Sequence, residues 1–353
     1  MLRGAPALLL AGLLLAPRGA AGVREDPPQE AFDDTITVAL DTIVVRVVDG
    51  SGQPVLGLTP KDFRVLVHGK EIPVVAVDWV SSGTVDEPWA EPLLRLPAEE
   101  GAAPVPQARE PGKLVVFFVQ ADLNPTRISG QMRIRPYTRE LLASLSPSDR
   151  VAVVSYDSHL KLWLDFTDDR EAVHDAVDRA MIYSPEASVA PSGPPSLASR
   201  FDFAEARRVA SPERALEMTA RALAGLPGEK TMIYLGWGLG RFGSFGTTMT
   251  PDYEPAVKAL SKARVSVFVL DVTSADYHSL EVGLQSVAEA TGGAYESTFR
   301  LPSVATHRIA RAISGWYVLT FDRDASGGIE PGRVTVKLRG RRGEVLARPV
   351  AVR

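Results

Sequence analysis

The chain has no cysteine and only 5 histidines among its 353 residues. The absence of cysteine excludes a disulfide scaffold, a thiolate metal site and a cysteine nucleophile. The histidines do not show the spacing of a metal site, and the sequence contains neither a Gly-x-Ser-x-Gly elbow nor a His-Glu-x-x-His helix. The sequence therefore carries no signature of the enzymes that depend on these groups.

A strong charge of either sign is also missing, because the net charge is only -4. This balance gives no reason to expect nucleic acid or an anionic membrane as a partner. The apolar share of 45% and the charged share of 23% are ordinary for a globular protein.

Long apolar runs are confined to the N-terminus. Arg3 precedes an apolar core at residues 5–16 that is too short for an ordinary membrane span, and the small residues at 20–22 suit signal peptidase. We predict a signal peptide over residues 1–22, so the mature protein is expected to be soluble in the periplasm or outside the cell. An uncleaved anchor is the alternative interpretation of this segment.

Two hydrophobic patterns alternate along the rest of the chain. The flanking segments show the period of two that is typical of β-strands, whereas the middle alternates continuous apolar strands with amphipathic helices. The middle pattern predicts an α/β fold with a doubly wound, mostly parallel sheet that helices cover on both faces. The predicted boundaries are 1–22 for the signal peptide, 23–34 for a tether, 35–82 for a first β segment, 83–112 for a Pro-rich linker, 113–312 for the α/β domain and 313–353 for a second β segment.

The two β segments are both small. Each has about 40 to 45 residues, a size at which a separate hydrophobic core is marginal. Together they supply about seven strands, which is enough for a sandwich. We predict that the N- and C-terminal segments form one small all-β sandwich in which the α/β domain is inserted. Two separate β appendages on the edges of the sheet are the alternative.

Several phrases of the α/β region resemble the von Willebrand factor type A domain. They are LASLSPSDRVAVVSYDSHLKLWLDFTDDREAVHDAV, LPGEKTMIYLGWG, ALSKARVSVFVLDV and LQSVAEATGGAYEST. The flanking phrases VRVVDGSGQPVLGLTPKDFRVLVHGKEI and SGWYVLTFDRD extend the resemblance, to the bacterial VWFA-related secreted proteins, over roughly residues 35–350. The resemblance implies a type A fold and an extracytoplasmic binding module.

The same resemblance implies a metal-ion-dependent adhesion site at the carboxyl ends of the strands. That site uses Asp-x-Ser-x-Ser after the first strand, a Thr from a later loop and an Asp after the fourth strand, and these oxygen ligands suit Mg²⁺. The match here is degenerate. Asp122, Asn124 and Thr126 offer oxygens, but they come one or two residues late, and Gln120 or Ala121 stands at the strict position.

The match to the last element of the metal-site pattern is weaker still, because the residues where an Asp is expected are Gly236-Trp237-Gly238. We therefore expect no cofactor, with weak Mg²⁺ binding as the alternative. In the metal-free interpretation, Asp122 or Asn124 caps a helix that is predicted to begin near Ser129.

The binding surface is expected at the strand ends, where loops vary on a rigid sheet. Trp237, between two glycines, is either a binding hot spot or a residue buried under the loop that follows it. The predicted face consists of residues 121–129, 184–200 and 236–250. The candidate partner-binding residues are Trp237, Asp122, Asn124, Arg127, Arg241 and Phe242.

The stretch GLGRFG, residues 238–243, imitates a dinucleotide-binding fingerprint, with Asp271 at the end of the next strand. No helix is predicted to begin at this stretch, and Asp271 lies beyond the usual spacing. A phosphate- or nucleotide-binding enzyme is therefore the weaker hypothesis. The sequence favours an exported, non-enzymatic module that binds a protein partner and has no membrane span after signal cleavage.

Overall fold

The computed structural model describes residues 40–67, 69–81, 112–182, 184–186, 188–244, 246–322 and 334–349. The predicted signal peptide and tether, together with residues 83–111 of the predicted linker, lie outside the described residues. Within the described part of the chain, no helix combines the length and the apolar character needed to cross a membrane.

The secondary structure alternates strands and helices in the order that the hydrophobic patterns predict. The strands are β1 (Leu40–Val48), β2 (Phe63–Val67), β3 (Lys70–Ile72), β4 (Val74–Ser81), β5 (Leu114–Gln120), β6 (Arg150–Tyr156), β7 (Leu160–Thr167), β8 (Lys230–Gly236), β9 (Arg241–Gly243), β10 (Gly246–Thr248), β11 (Val265–Asp271), β12 (Tyr295–Ser297), β13 (Gly315–Asp322), β14 (Val334–Leu338) and β15 (Glu344–Ala347). The helices are α1 (Pro125–Ala143), α2 (Arg170–Met181), α3 (Phe203–Ala206), α4 (Pro212–Leu223), α5 (Tyr253–Lys262), α6 (Glu281–Thr291) and α7 (Pro302–Ala312).

A six-stranded sheet in the order β12-β11-β8-β5-β6-β7 forms the centre of the α/β part. All neighbours in it are parallel except β7, which runs antiparallel to β6. Every residue of β5, β8 and β11 is buried, as expected for strands with helices on both faces. The predicted doubly wound, mostly parallel sheet is confirmed.

Alternate residues of β5 point into two separate hydrophobic layers. Val116 and Phe118 belong to the layer under α4, α5 and α6, whereas Val115 and Phe117 belong to the layer under α1, α2 and α7. The continuous apolar run of this strand is therefore explained by burial on both faces of the sheet.

The terminal β segments combine into two antiparallel sheets. One has the order β15-β1-β13-β4 and the other has the order β14-β2-β3, so strands from both ends of the sequence pair in each sheet. The sheets share one core that includes Val45, Phe63, Tyr317 and Val336. The predicted shared sandwich is confirmed, and the alternative of two separate appendages is wrong.

The sandwich packs against the amino ends of the parallel strands. Arg46 on β1 is buried, donates to Ser266 Oγ near the start of β11 at 3.3 Å, and lies 5.2 Å from the ring centroid of Phe268. Arg348, just after β15, pairs with Glu229, just before β8, at 2.6 Å. The carboxyl ends of these strands therefore lie on the edge opposite the sandwich.

Candidate functional site

The sheet changes its direction of construction between β5 and β8. From β5 the chain builds outward through β6 and β7, and it then returns to β8 and builds outward on the other side. Ligands of doubly wound sheets bind at the carboxyl ends of the strands beside such a point. Gln120, at the end of β5, and Trp237, just after β8, mark this place.

Gln120 ties the two strand ends together. Its side chain is fully buried, its Nε2 donates to Gly238 O at 2.8 Å, and its Oε1 accepts from the backbone N–H groups of Trp237 at 2.9 Å and Gly238 at 3.2 Å. A neutral amide whose donor and acceptor are both used therefore fills one of the two positions at which the resemblance implies an aspartate.

Asp122, Asn124 and Thr126 lie at the start of α1. This helix begins at Pro125, four residues before the predicted start at Ser129. Asn124 is its N-cap, because Asn124 Oδ1 accepts from Thr126 N at 3.0 Å and from Thr126 Oγ1 at 2.7 Å. Asp122 Oδ1 accepts from Asn124 N at 2.9 Å. The oxygens that the sequence offered as metal ligands thus form a helix-capping network.

Arg127 brings a positive charge to the same place. Its Nη1 donates to Asp122 Oδ2, and its guanidinium carbon lies 3.2 Å from the centroid of the Trp237 ring. Trp237 is half-buried and packs on the core, and its Nε1 has no hydrogen-bond partner within the described residues. One face of the indole is therefore covered by Arg127.

Arg241 and Phe242 lie on a short hairpin of β9 and β10, where the sequence predicted only a loop. Gly240 N, at the base of the hairpin, donates to the buried Glu213 Oε1 at 2.7 Å. The next helix, α5, begins only at Tyr253. No helix N-terminus therefore follows the GLGRFG stretch directly, in agreement with the prediction.

Three large apolar side chains are exposed on the loops that follow three adjacent strands. Leu123 follows β5, Phe242 follows β8 and Tyr277 follows β11, and these side chains are 70%, 69% and 84% exposed. The sequence had suggested Phe242 by name and had included Leu123 only within the range 121–129, whereas Tyr277 was missed. The available signal was a large apolar residue a few positions beyond the end of a buried strand.

A second polar cluster lies one strand further along the sheet. Asp271, at the end of β11, is almost fully buried, and its Oδ2 accepts from His278 Nε2 at 2.6 Å and from Tyr295 OH at 2.7 Å. Its Oδ1 accepts from Thr273 N at 2.9 Å and Thr273 Oγ1 at 2.7 Å. Ligand atoms of Asp271, His278 and Glu281 all lie within 4.8 Å of one another.

The electrostatics of this cluster favour an ionised Asp271 and a neutral phenol. Burial alone raises the pKa of Asp271, but its hydrogen bonds, first among them the one from His278, hold that pKa below its usual value. Burial also raises the pKa of Tyr295, and Asp271 and Glu281 raise it further. Sequence reasoning placed Asp271 at a strand end but did not find this group, because its other members come from a loop, a helix start and a neighbouring strand.

The prediction that residues 184–200 belong to the strand-end face is wrong for the second half of that loop. Asp165 on β7 accepts from Ser196 Oγ at 2.6 Å, and Arg150 at the start of β6 donates to Pro194 O at 3.2 Å. Because β7 is antiparallel, its end lies beside the start of β6. This part of the loop is therefore held at the amino edge of the sheet.

The strand order and the flanking helices agree with the type A fold that the resemblance implies. No protein-family model matches the chain, and no curated protein matches it. Similar solved structures include a von Willebrand factor type A protein from Catenulispora acidiphila, with 11% identity, a TM-score of 0.40 and coverage of 90% of this chain and 74% of that one.

Two further solved structures are similar to parts of the chain. The conserved hypothetical protein BatB from Bacteroides thetaiotaomicron has 15% identity and a TM-score of 0.38, over 57% of this chain and 97% of that one. The N-terminal domains of the type V pili tip protein Mfa5 from Porphyromonas gingivalis have 10% identity and a TM-score of 0.39, over 70% of this chain and 57% of that one. At these values, none of the similarities assigns a partner or a chemistry to this chain.

Proposed function

We propose that this chain is an exported, non-enzymatic module that binds a protein partner through its strand-end face, without a metal ion at the end of β5. We define the strand-end face as Leu123, Arg127, Trp237, Phe242 and Tyr277. The observation that carries the proposal is the exposure of three large apolar side chains on the loops after three adjacent strands. Exposed apolar groups beside an aromatic and an arginine are typical of protein-binding surfaces.

The donor set at the end of β5 supports a metal-free interpretation. Mg²⁺ prefers an octahedron of hard oxygen ligands that includes one or two carboxylates. Asp122 is the carboxylate at this place, and it is already paired with Arg127, while the Gln120 amide is bonded to the loop after β8. These residues do not fit the ion. Arg127 instead supplies a fixed cation that can pair with a carboxylate of the partner.

The proposed export and the proposed absence of catalysis are supported by different observations. The predicted signal peptide supports a periplasmic or extracellular location. The stretch Gly238–Gly243 leads into a hairpin and not into a helix, which weakens the competing hypothesis of a phosphate- or nucleotide-binding enzyme.

The test is partner capture from periplasmic or extracellular extract by the purified protein and by a variant that combines Leu123→Ser, Phe242→Ser and Tyr277→Ser. We expect the triple variant to lose most of the captured protein, because its apolar contacts with the partner are removed. The thermal midpoint should change little, since all three side chains are exposed.

The matched control is Val75→Ser, because Val75 is a 56% exposed apolar residue on β4, in the sandwich. This variant should capture the partner as the wild type does. Undiminished capture by the folded triple variant, or equal loss in the Val75→Ser control, would remove the strand-end face as the binding surface.

A further inference from the structure

We propose that Asp271, His278 and Glu281 form a Zn²⁺ site at the carboxyl end of β11. This site is separate from the β5 end, where the type A resemblance places its metal. It supplies one imidazole nitrogen and two carboxylates, which is a ligand set that Zn²⁺ accepts in sites with an open fourth position. Mg²⁺ prefers oxygen ligands alone, so the imidazole favours a transition ion.

The geometry of the three side chains is close to what one ion requires. Tetrahedral Zn²⁺, with bonds of about 2.0–2.2 Å, holds its ligand atoms roughly 3.3 Å apart. His278 Nε2 and Asp271 Oδ2 are 2.6 Å apart, and all the ligand atoms of the group lie within 4.8 Å of one another. Adjustments of about 1 Å or a little more in side-chain position would therefore place one ion between them.

The backbone holds these three ligands close together without a bound ion. Asp271 ends a fully buried strand, and Glu281 is the first residue of α6. Glu281 N donates to His278 O at 3.1 Å, which keeps those two residues adjacent. Tyr295 OH, now bonded to Asp271, is placed to orient this carboxylate as an outer partner of the ion.

The charged side chains around the group balance its negative charge only in part. Within the described part of the chain, His278 is the ion-pair partner of Asp271, and no ion pair joins Glu281 to a cation. Arg133 on α1 also interacts electrostatically with Asp271. Its Nη2 donates to Thr273 O at 2.9 Å. The two carboxylates of the group supply negative charge that a divalent ion would balance.

A cleft borders one side of the site. Its volume is 520 Å³, and Glu281 and Tyr295 line it. The arginines of the cleft already have partners, because Arg300 pairs with Asp276, and Arg308 lies 3.2 Å from Glu296. Neither arginine therefore takes the place of the ion beside Glu281.

The experiment is Zn²⁺ titration of the full chain after removal of metal with EDTA, followed by calorimetry and by metal analysis after dialysis. We expect one Zn²⁺ per chain and a rise in the thermal midpoint with Zn²⁺ concentration. His278→Gln and Glu281→Gln should each weaken binding at least tenfold. Both variants leave the more deeply buried Asp271 in place, so folding is expected to persist and is checked by circular dichroism.

The matched control is His307→Gln, because His307 is an exposed histidine on α7 that lies 3.6 Å from the carboxylate of Glu140. This variant should bind Zn²⁺ as the wild type does. The proposal is overturned if the wild type binds no stoichiometric Zn²⁺, or if both site variants keep wild-type affinity. Asp122→Ala should leave Zn²⁺ binding unchanged, which separates this site from the end of β5.

Discussion

At the scale of single residues, Gln120 determines what the end of β5 can hold. Its amide donates to one backbone carbonyl and accepts from two backbone N–H groups of the loop after β8. A carboxylate could accept these two bonds but could not donate to Gly238 O. Gln120 therefore joins the two strand ends through both of its polar atoms, and no ion is needed for that link.

The change Gln120→Glu tests this role, because it keeps the shape and replaces the donor by an acidic oxygen. The protonated acid can still donate to Gly238 O, so the pKa of the new side chain in the folded state should lie above the unfolded value of about 4.3. The loss of stability should be absent below that pH and should grow as the pH rises toward the folded pKa. At pH 7 we expect a loss of about 3 kcal/mol.

The measurement is urea unfolding of both proteins at pH 4 and pH 7. The control is Gln53→Glu, at an exposed turn position, which should change stability by no more than about 0.5 kcal/mol. Equal stability of wild type and Gln120→Glu at pH 7 would show that the amide does not hold the two strand ends together.

At the scale of elements, the side chain of Lys113 links the start of β5 to Ile313, the residue that follows α7. Its Nζ lies 3.4 Å from Asp149 Oδ2 and donates to Ile313 O at 2.8 Å, and both ionic side chains are buried. The chain enters the α/β part at Lys113 and leaves it just after Ile313. This one side chain therefore connects the two crossing points between the sandwich and the inserted part.

Lys113→Met should lower the free energy of unfolding by about 3–5 kcal/mol at pH 7, because it leaves the charge of Asp149 buried without its partner. Burial, acting against the nearby Asp149, lowers the pKa of Lys113 from 10.5 to about 8. Between these two values the unfolded chain binds a proton that the folded chain has released. The free energy of unfolding of the wild type therefore increases as the pH rises from about 8 to 10.5, whereas that of the variant does not.

Urea unfolding at pH 7 and pH 10 measures both effects, and the gap between wild type and Lys113→Met should widen at the higher pH. Lys258→Met, on the exposed side of α5, serves as the control and should show neither effect. A gap that stays constant or narrows would contradict the account of the buried lysine.

The sequence predicted some element boundaries well and others poorly, for a physical reason. Ser211 before Pro212 is a favourable helix start, and it caps α4, since Arg214 N donates to its Oγ at 3.1 Å. The start of α1 was placed four residues too late, although Asn124 before Pro125 is also a favourable helix start. The polar residues there can act either as a helix cap or as metal ligands. The ion pair between Arg127 and Asp122, which is visible only in the structure, distinguishes these two roles.

At the scale of the whole molecule, the shared sandwich was predictable because neither β segment is large enough to form a core alone. The central sheet was predictable because its strands are continuous apolar runs. The polar cluster around Asp271 was not predictable. His278 meets Asp271 only because the loop between β11 and α6 folds back, and Tyr295 reaches it from the next strand.

The placement of the sandwich explains why one edge of the sheet is available for a partner. Arg46 and Arg348 fix the sandwich to the starts of β11 and β8. The opposite edge carries the strand-end face with its exposed apolar side chains. The most direct test of the central claim is a Mg²⁺ titration of the EDTA-treated chain and its Asp122→Ala variant, followed by the thermal midpoint. We predict no saturable rise in either protein, whereas a saturable rise that Asp122→Ala abolishes would contradict a metal-free end of β5.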